Sequence, residues 1–383
     1  SLAEALGMSL PGCAAIPAPY RERSQMAYDT GYRSVELVIK DIRPSDIMTM
    51  EAFQNAIVTA SAIGASSNAP PHIIAIAKQL NLDLNLDHWQ EWGEKIPLLV
   101  NLQPAGEYLG EGYFKAGGVP AVMKELLDND KLCSNVLTVS GKTVKENLNS
   151  VICKDRKVIY SYLEPLKENA GFLVLRSNFF DSAIMKMSVL SKEFNERYLS
   201  DEKKPMEFTV RAIVFDGPEH YHKEINNPNL NIDENCILII RGCGPIGYPG
   251  AAEVVNMQPP DYLLKKGITS LPCLGDGRQS GTSESPSILN VSPEAAVGGG
   301  LAIIKNNDLI RVDLNNKRVD LILDNSEIKS RFKDLKFDYP NNQTPWQELA
   351  REYTGQLGDG ACLDLKEKYI DVAKSKGIPR DNH

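Results

Sequence analysis

The sequence predicts an α/β protein: a truncated α/β layered domain, then a β-rich, barrel-like domain, then a helical C-terminal tail. Three observations predict it. Helix-period and strand-length apolar segments alternate over roughly the first 150 residues, and short strands set between Gly, Pro, Asn and Asp follow to about Leu323. The chain also opens without Met and already inside an amphipathic pattern, Ser1-Leu2-Ala3-Glu4-Ala5-Leu6, which predicts that it starts partway through a longer protein. The domains expected are 1–153, 154–325 and 326–383, and a length of 383 residues suits more than one core.

In the first domain, Thr49 is a candidate N-cap, Glu51 stands in the first turn, and Phe53, Ile57 and Ala60 share one helical face up to Gly64. Pro70 and Pro71 open the next helix, with Ile73, Ile76, Ala77 and Leu80 on its apolar side. Pro97–Leu102 has the length and composition of a strand, Pro120 starts a helix running through Leu127, and Val136–Val139 is again strand-like. Thr143 and Glu146 have capping-box spacing. In the second domain the strand candidates are Val158–Tyr162, Gly171–Leu175, Phe208–Phe215 and Cys236–Ile240. A meander follows: Leu301–Ile304, Leu309–Asp313 and Arg318–Leu323, with turns at Asn306-Asn307 and Asn315-Asn316. The tail carries Trp346 and ends in Pro379-Arg380-Asp381-Asn382-His383.

Composition narrows the function. A net charge of −8 argues against nucleic acid as a partner, because phosphate neutralisation needs a basic face. No run of about 18 apolar residues is present, so no membrane-spanning helix is expected. The seven cysteines (13, 133, 153, 236, 243, 273, 362) are scattered and odd in number, which predicts neither a disulfide framework nor a structural zinc site and points to a reducing, cytoplasmic setting.

Three segments are candidates for chemistry. Arg241 to Glu253, with Gly242, Gly244, Gly247 and Gly250, follows a strand and lets backbone N–H groups approach a ligand. A nucleotide loop is disfavoured there, since Pro245 and Pro249 lack N–H donors and no G-x-G-x-x-G spacing occurs. Gly275 to Ser287 crowds hydroxyls and carboxylates around Arg278. Ser280 stands among flexible neighbours as a nucleophile or base, yet no histidine lies near it in sequence, so a cation or an N–H nest would have to activate it. The bland alternative, a Ser/Thr-rich turn bonding its own backbone, stays open. Gly64 to His72 opens a helix whose N–H groups suit a carboxylate or phosphate; simple capping by Ser67 or Asn68 is the alternative.

Taken together, Ser1–Met8, Ser66-Ser67-Asn68-Ala69, Ala116–Pro120, Leu137–Thr143, Phe215–Glu219, both glycine loops and the closing Pro379–His383 resemble, in collinear order, the dihydroxy-acid, 6-phosphogluconate and sugar-acid (xylonate, arabinonate) dehydratase family. The run Gly275 to Thr282 and the closing segment look most like the sugar-acid branch. The resemblance implies a hydro-lyase that converts a sugar acid such as a pentonate to a 2-keto-3-deoxy acid. An iron–sulfur cluster (2Fe–2S rather than 4Fe–4S) would act on the C3 hydroxyl, and Mg²⁺ would hold the carboxylate and C2 hydroxyl. Ser280 matches the base, Thr282 a residue beside it that orients substrate, and Glu253 a Mg²⁺ carboxylate; Arg278, Ser67 and Asn68 are expected on the substrate side. It further implies a homodimer or homotetramer.

Departures from the family pattern accompany the match. None of the seven cysteines matches a cluster ligand, so cluster ligands and most Mg²⁺ ligands are expected in a segment preceding Ser1, and the chain alone is expected to be inactive without it. Glu284 replaces a usual Gly near the base, Ser67 a usual Thr, and Cys133-Ser134-Asn135 a His-Gly-Asp-like triplet. The alternatives carried forward are a dihydroxy-acid dehydratase of branched-chain amino-acid synthesis and a non-catalytic truncated relative.

Overall fold

The structure, a computed structural model, describes residues 1–281, 286–335 and 344–363. Residues 1–150 form a helical layer: α1 (Leu2–Ala5), α2 (Arg21–Ile39), α3 (Pro44–Ile47), α4 (Met50–Ala62), α5 (Ala69–Gln79), α6 (Leu86–Gly93), α7 (Gly110–Ala116), α8 (Gly118–Asp128) and α9 (Val144–Leu148). The helix starts follow the capping chemistry expected of them. Thr49 Oγ1 accepts from Ala52 N at 3.4 Å, and Thr143 and Glu146 make a reciprocal capping box. α4 is the hub of the layer, with Phe53, Ala56, Ile57 and Ala60 fully buried among α1, α5, α6 and α8.

The expected strand–helix alternation is corrected here. Pro97–Leu102 and Val136–Val139 make isolated bridges (Leu98 with Lys167, Val100 with Ile159, Leu137 with Thr143) rather than sheet strands. Leu98, Leu99 and Val100 are all buried, and an apolar run of that length carries no periodicity that separates a ladder strand from a buried connector. The expected remnant is instead a packed layer with its own large buried side chains, Phe53, Ile57, Ile73, Trp89 and Leu126.

The second region is a sheet of β1 (Phe172–Leu175), β2 (Ser182–Lys186), β3 (Glu207–Asp216), β4 (Cys236–Arg241), β5 (Cys273–Gly275), β6 (Ser287–Ser292), β7 (Leu309–Asp313) and β8 (Arg318–Leu321). Its order is β1-β2-β6-β5-β4-β3-β7-β8, with the β6-β5-β4-β3 pairs parallel and the others antiparallel. Backbone bonds from Arg176 N to Lys317 O and from Val319 N to Arg176 O, both 2.9 Å, bring the last strand to the first, so the sheet nearly closes into a barrel. Alternate residues divide between two cores, as a two-residue side-chain period requires. Leu173, Met185, Val214, Ile239, Leu274, Ile288, Val312 and Val319 fill the interior. Phe172, Ile184, Phe215, Leu238, Ile240 and Leu289 face outward and share one core with the helical layer. Trp89 of α6 meets Phe172 of β1 edge-on at 5.4 Å in that shared core.

Two strand expectations fail in this region. Val158–Tyr162 supplies one bridge, and Leu301–Ile304 lies in a 3₁₀ turn at Gly300–Ile303. The carbonyls of Leu301, Ala302 and Ile304 converge on Arg241 Nη1 at 3.0–3.1 Å, and alternating strand carbonyls cannot do that. In the tail, Asn325–Lys333 and Pro345–Tyr353 are helical, the latter capped by Thr344 with Gln347. Among the described residues no helix is long and apolar enough to cross a membrane. Thr282, Glu284 and the closing Pro379–His383 lie outside the described residues.

Candidate active site

The candidate site forms where the loop before α5 meets the β5–β6 connection and the second half of the first glycine loop. Asn68 stands at the N-cap position of α5, but its side chain makes no capping bond. Its Nδ2 donates instead to Glu253 Oε1 and, at 3.1 Å, to the carbonyl of Gln279. Simple capping is thereby replaced by a bridge between three segments far apart in sequence. Glu253 is tied from the other side by Asn256, whose Nδ2 donates to the Glu253 carbonyl at 2.9 Å and whose Oδ1 accepts from Ser280 N at 3.3 Å. Ser67 is buried, and its carbonyl accepts from Asn290 Nδ2 of β6 at 3.4 Å. The loops touch so closely that a Cβ on Gly281 would stand 2.8 Å from Ser66 Oγ, so glycine is needed beside Ser280.

Ser67, Asn68, Glu253, Arg278 and Ser280 therefore gather at one place. Arg278 is engaged in holding the loops: its Nε donates to Ala251 O at 2.6 Å, its carbonyl accepts from Val255 N at 3.0 Å, and its Nη1 reaches His72 Nε2 at 3.4 Å. Asn256, His72 and Lys186, which lines the same cleft as Ser67 and Ser280, were not singled out from the sequence. Asn256 sits in a segment without periodicity. Lys186 closes a short strand whose run of Ala183, Ile184 and Met185 carries no alternation that would have flagged it.

The first half of the glycine loop has a different occupant from a ligand. Asp276 is fully buried, and it accepts from Gly242 N (2.9 Å), Cys243 N (2.8 Å) and Ala295 N (2.8 Å). Glu294 accepts from Ile246 N at 3.0 Å, from Gly247 N at 2.8 Å and from Gln356 Nε2 at 3.1 Å. A Cβ on Gly244 would meet the Glu294 carboxylate at 2.5–2.6 Å. The N–H nest thus cradles the protein's own carboxylates.

Burial pushes the Glu294 carboxyl up to about 7, against the Gly247 and Ile246 N–H groups that pull it down. A folded-state value above the ordinary carboxylate one means that Glu294's contribution is full below about pH 4 and is lost as pH rises through about 7. We expect this group to cost the native state about 3 kcal/mol across that window. Urea melts at pH 5 and pH 8 check this: Glu294→Gln should lack that part of the slope, and equal slopes in both proteins would remove Glu294 as its cause.

The cofactor expectation can be tested against the donor set. A cluster requires thiolates gathered at one point. Among the described residues no group of three or more His, Cys, Asp or Glu side chains could hold a metal ion, and burial pushes the Cys236 and Cys243 thiols up, away from thiolate. The described residues do not fit a cluster. Mg²⁺ is different, because it is commonly held by one or two carboxylates and keeps several waters. Glu253 supplies a carboxylate, and Asn68 Oδ1, beside it on the same amide, is buried without a hydrogen-bond partner. That pair fits as part of an oxygen-donor set.

Comparison with known proteins follows the same architecture. The dihydroxy-acid/6-phosphogluconate dehydratase N-terminal model matches residues 1–147, and the C-terminal model matches residues 157–361. Models of both the N- and C-terminal domains match, which corrects the expectation of a C-terminal portion lacking the N-terminal cluster-binding segment; inactivity of the chain on that ground is not supported. The D-xylonate dehydratase of Caulobacter vibrioides is 56% identical over 383 residues, covering 100% of this chain and 64% of the relative. The L-arabinonate dehydratase of Rhizobium leguminosarum bv. trifolii is 40% identical over 385 residues, covering 100% and 63%. A dihydroxy-acid dehydratase of Acetivibrio thermocellus is 37% identical over 367 residues, covering 95% and 64%. The chain thus spans a little under two thirds of the length of these relatives. With a helical layer and a barrel each matched by its own model, and with such relatives along its whole length, the chain belongs to the dihydroxy-acid/6-phosphogluconate dehydratase family.

Proposed function

We propose that the chain serves a hydro-lyase that dehydrates a sugar acid, an aldonate such as a pentonate, to a 2-keto-3-deoxy acid, with Ser280 as the base. The observation that carries this reading is the meeting of the Ser280 loop with Glu253 through Asn68 and Asn256. The higher identity to the xylonate dehydratase than to the dihydroxy-acid dehydratase supports the sugar-acid branch over that alternative.

In this reading Glu253 holds Mg²⁺. When bound, the cation supplies positive charge that draws on the substrate carboxylate and C2 hydroxyl and makes the C2 proton more acidic. Ser280 Oγ takes that proton. The electrons of the C2–H bond form the C2–C3 double bond, the C3 hydroxyl departs as water by taking up a proton equivalent to the one removed from C2, and the resulting enol tautomerises to the ketone. Ser67, Asn68 and Arg278 shape the substrate side, and Thr282, next but one to the base, orients the sugar acid. The N-terminal end of the α5 dipole favours an anionic ligand there, although Pro70 and Pro71 carry no N–H and Ala69 N is bonded to Ser66 O.

The direct test is product formation by the full-length protein. D-Xylonate and L-arabinonate are incubated with it beside 2,3-dihydroxyisovalerate, and the 2-keto acid is measured as its semicarbazone. Turnover of a pentonate above that of the branched-chain substrate is expected. Preference for the branched-chain diol would move the protein to the other branch, and no turnover of any of them would favour the non-catalytic relative.

A further inference from the structure

One buried cation in the Ser280 cleft has no role so far. Lys186 ends β2 and is 8% exposed. Ala183 and Met185 point into the barrel, whereas Ile184 joins the core under the helical layer, so Lys186 faces that layer as well. The β2–β6 register pairs Ile184 with Leu289 and Met185 with Ile288. One further step puts Lys186 beside Ser287, whose Oγ accepts from Gln279 Nε2 at 2.9 Å, next in sequence to Ser280. A narrow cleft is accordingly lined by Ser67, Lys186, Gln279, Ser280, Gly281 and Ser287.

Lysines are almost never fully buried unless paired. Lys186 has no ion-pair partner among the described residues, and burial alone pushes its amine down to about 8. Among the described residues, charged groups on the segments around it are engaged elsewhere. Lys167 Nζ donates to the carbonyls of Ser188 and Leu190 at 2.9 Å, Arg278 is on Ala251 O and His72, and Glu253 is on Asn68. A serine of ordinary acidity is a poor base at neutral pH. A neutral amine beside a serine is a known chemical solution to that difficulty.

We infer that Lys186 is the proton partner of Ser280: its ε-amino nitrogen accepts the hydroxyl proton, directly or through one water, and so readies the alkoxide for the C2 proton. The inference rests on the reading of Ser280 as base. The Oγ–H bond breaks with its electron pair left on oxygen, and a fourth bond forms at Nζ. When Oγ takes the C2 proton, the serine hydroxyl is restored. The ammonium then gives its proton to the hydroxyl leaving C3, forming water, and the amine is regenerated with no oxidant or reductant. Lys186 is thus a catalytic residue, exchanging protons with Ser280 Oγ and with the departing hydroxyl.

The test uses the full-length, cofactor-loaded protein with Lys186→Met, which keeps length and packing, and Lys186→Arg, which keeps charge but offers no neutral amine. Lys186→Met should lower kcat by about 100-fold or more, leave KM within about 3-fold, and abolish the rise of kcat with pH. Lys186→Arg should not restore it. Separately, the rate at which acetic anhydride acetylates Lys186 in the wild-type protein, followed by mass spectrometry across pH, should have its midpoint near 8. This readout needs neither turnover nor a variant that folds. The inference is overturned by near-wild-type kcat in folded Lys186→Met, by full rescue in Lys186→Arg, or by an acetylation midpoint above about pH 10, the range of an ordinary lysine. Wild-type turnover in Ser280→Ala would instead sink the Ser280 reading itself.

Discussion

Ser280→Ala is expected to lower kcat for the sugar acid by roughly 10³-fold while KM changes by no more than about 3-fold. The expectation follows from the division of labour in the cleft. In the proposed reading, substrate anchoring falls to Glu253 with its cation and to the Ser67–Asn68 turn at the start of α5, rather than to the Ser280 hydroxyl. Ser280 N stays on Asn256 Oδ1 in the variant, because that contact is made by the backbone. Removing Oγ therefore takes away the proton acceptor and leaves the loop where it was. Steady-state kinetics on the full-length protein measures it, and a variant with more than about a tenth of wild-type kcat would show that another group is the base.

Asp276→Ala is expected to destabilise the protein by about 4 kcal/mol, enough to take a large part of the stability of an ordinary domain. The side chain has no exposed surface, and its two oxygens satisfy three backbone donors, Gly242, Cys243 and Ala295. Truncation strands all three N–H groups in a place where water has little access, at about 1–3 kcal/mol each before relaxation. Burial holds the Asp276 carboxyl above its ordinary range, and those same three donors oppose the rise. Asp276→Asn should recover only part of the loss, since its amide N–H₂ would face a backbone donor. Urea unfolding followed by circular dichroism measures both variants. A loss under about 1 kcal/mol for Asp276→Ala would mean that the glycine loop is held by other contacts.

The local rules were legible in the chain itself. Thr49, Pro70-Pro71 and the Thr143–Glu146 box mark helix starts that the fold retains, because capping depends on side chains within a few residues of the end. β3, β4, β7 and β8 were visible as apolar or alternating runs between turn residues. β1 was legible too, within Gly171–Leu175, whereas β2, β5 and β6 were not, since Ser, Lys, Cys, Gly and Asn interrupt them without a regular period. α2 was not picked out either, although Tyr28, Tyr32, Val35 and Ile39 recur at helical spacing; that stripe is exposed, and the helix buries none of its 19 residues.

By itself, then, the sequence determined the capped helices, a β-rich second half, and the residue types and order that carry the family resemblance, since each depends on spacing within a short window. Only the tertiary structure decided which of those residues meet. Asn68, Glu253 and Gln279 lie up to 211 residues apart and are joined by a single amide, while Asp276 and Glu294 fill a nest that glycine content alone would have left for a ligand. Lys186 acquired its significance the same way. A lysine in a sequence is a solvated charge by default, and only the closing of the barrel against the helical layer takes the water from around it and sets it across a cleft from a serine.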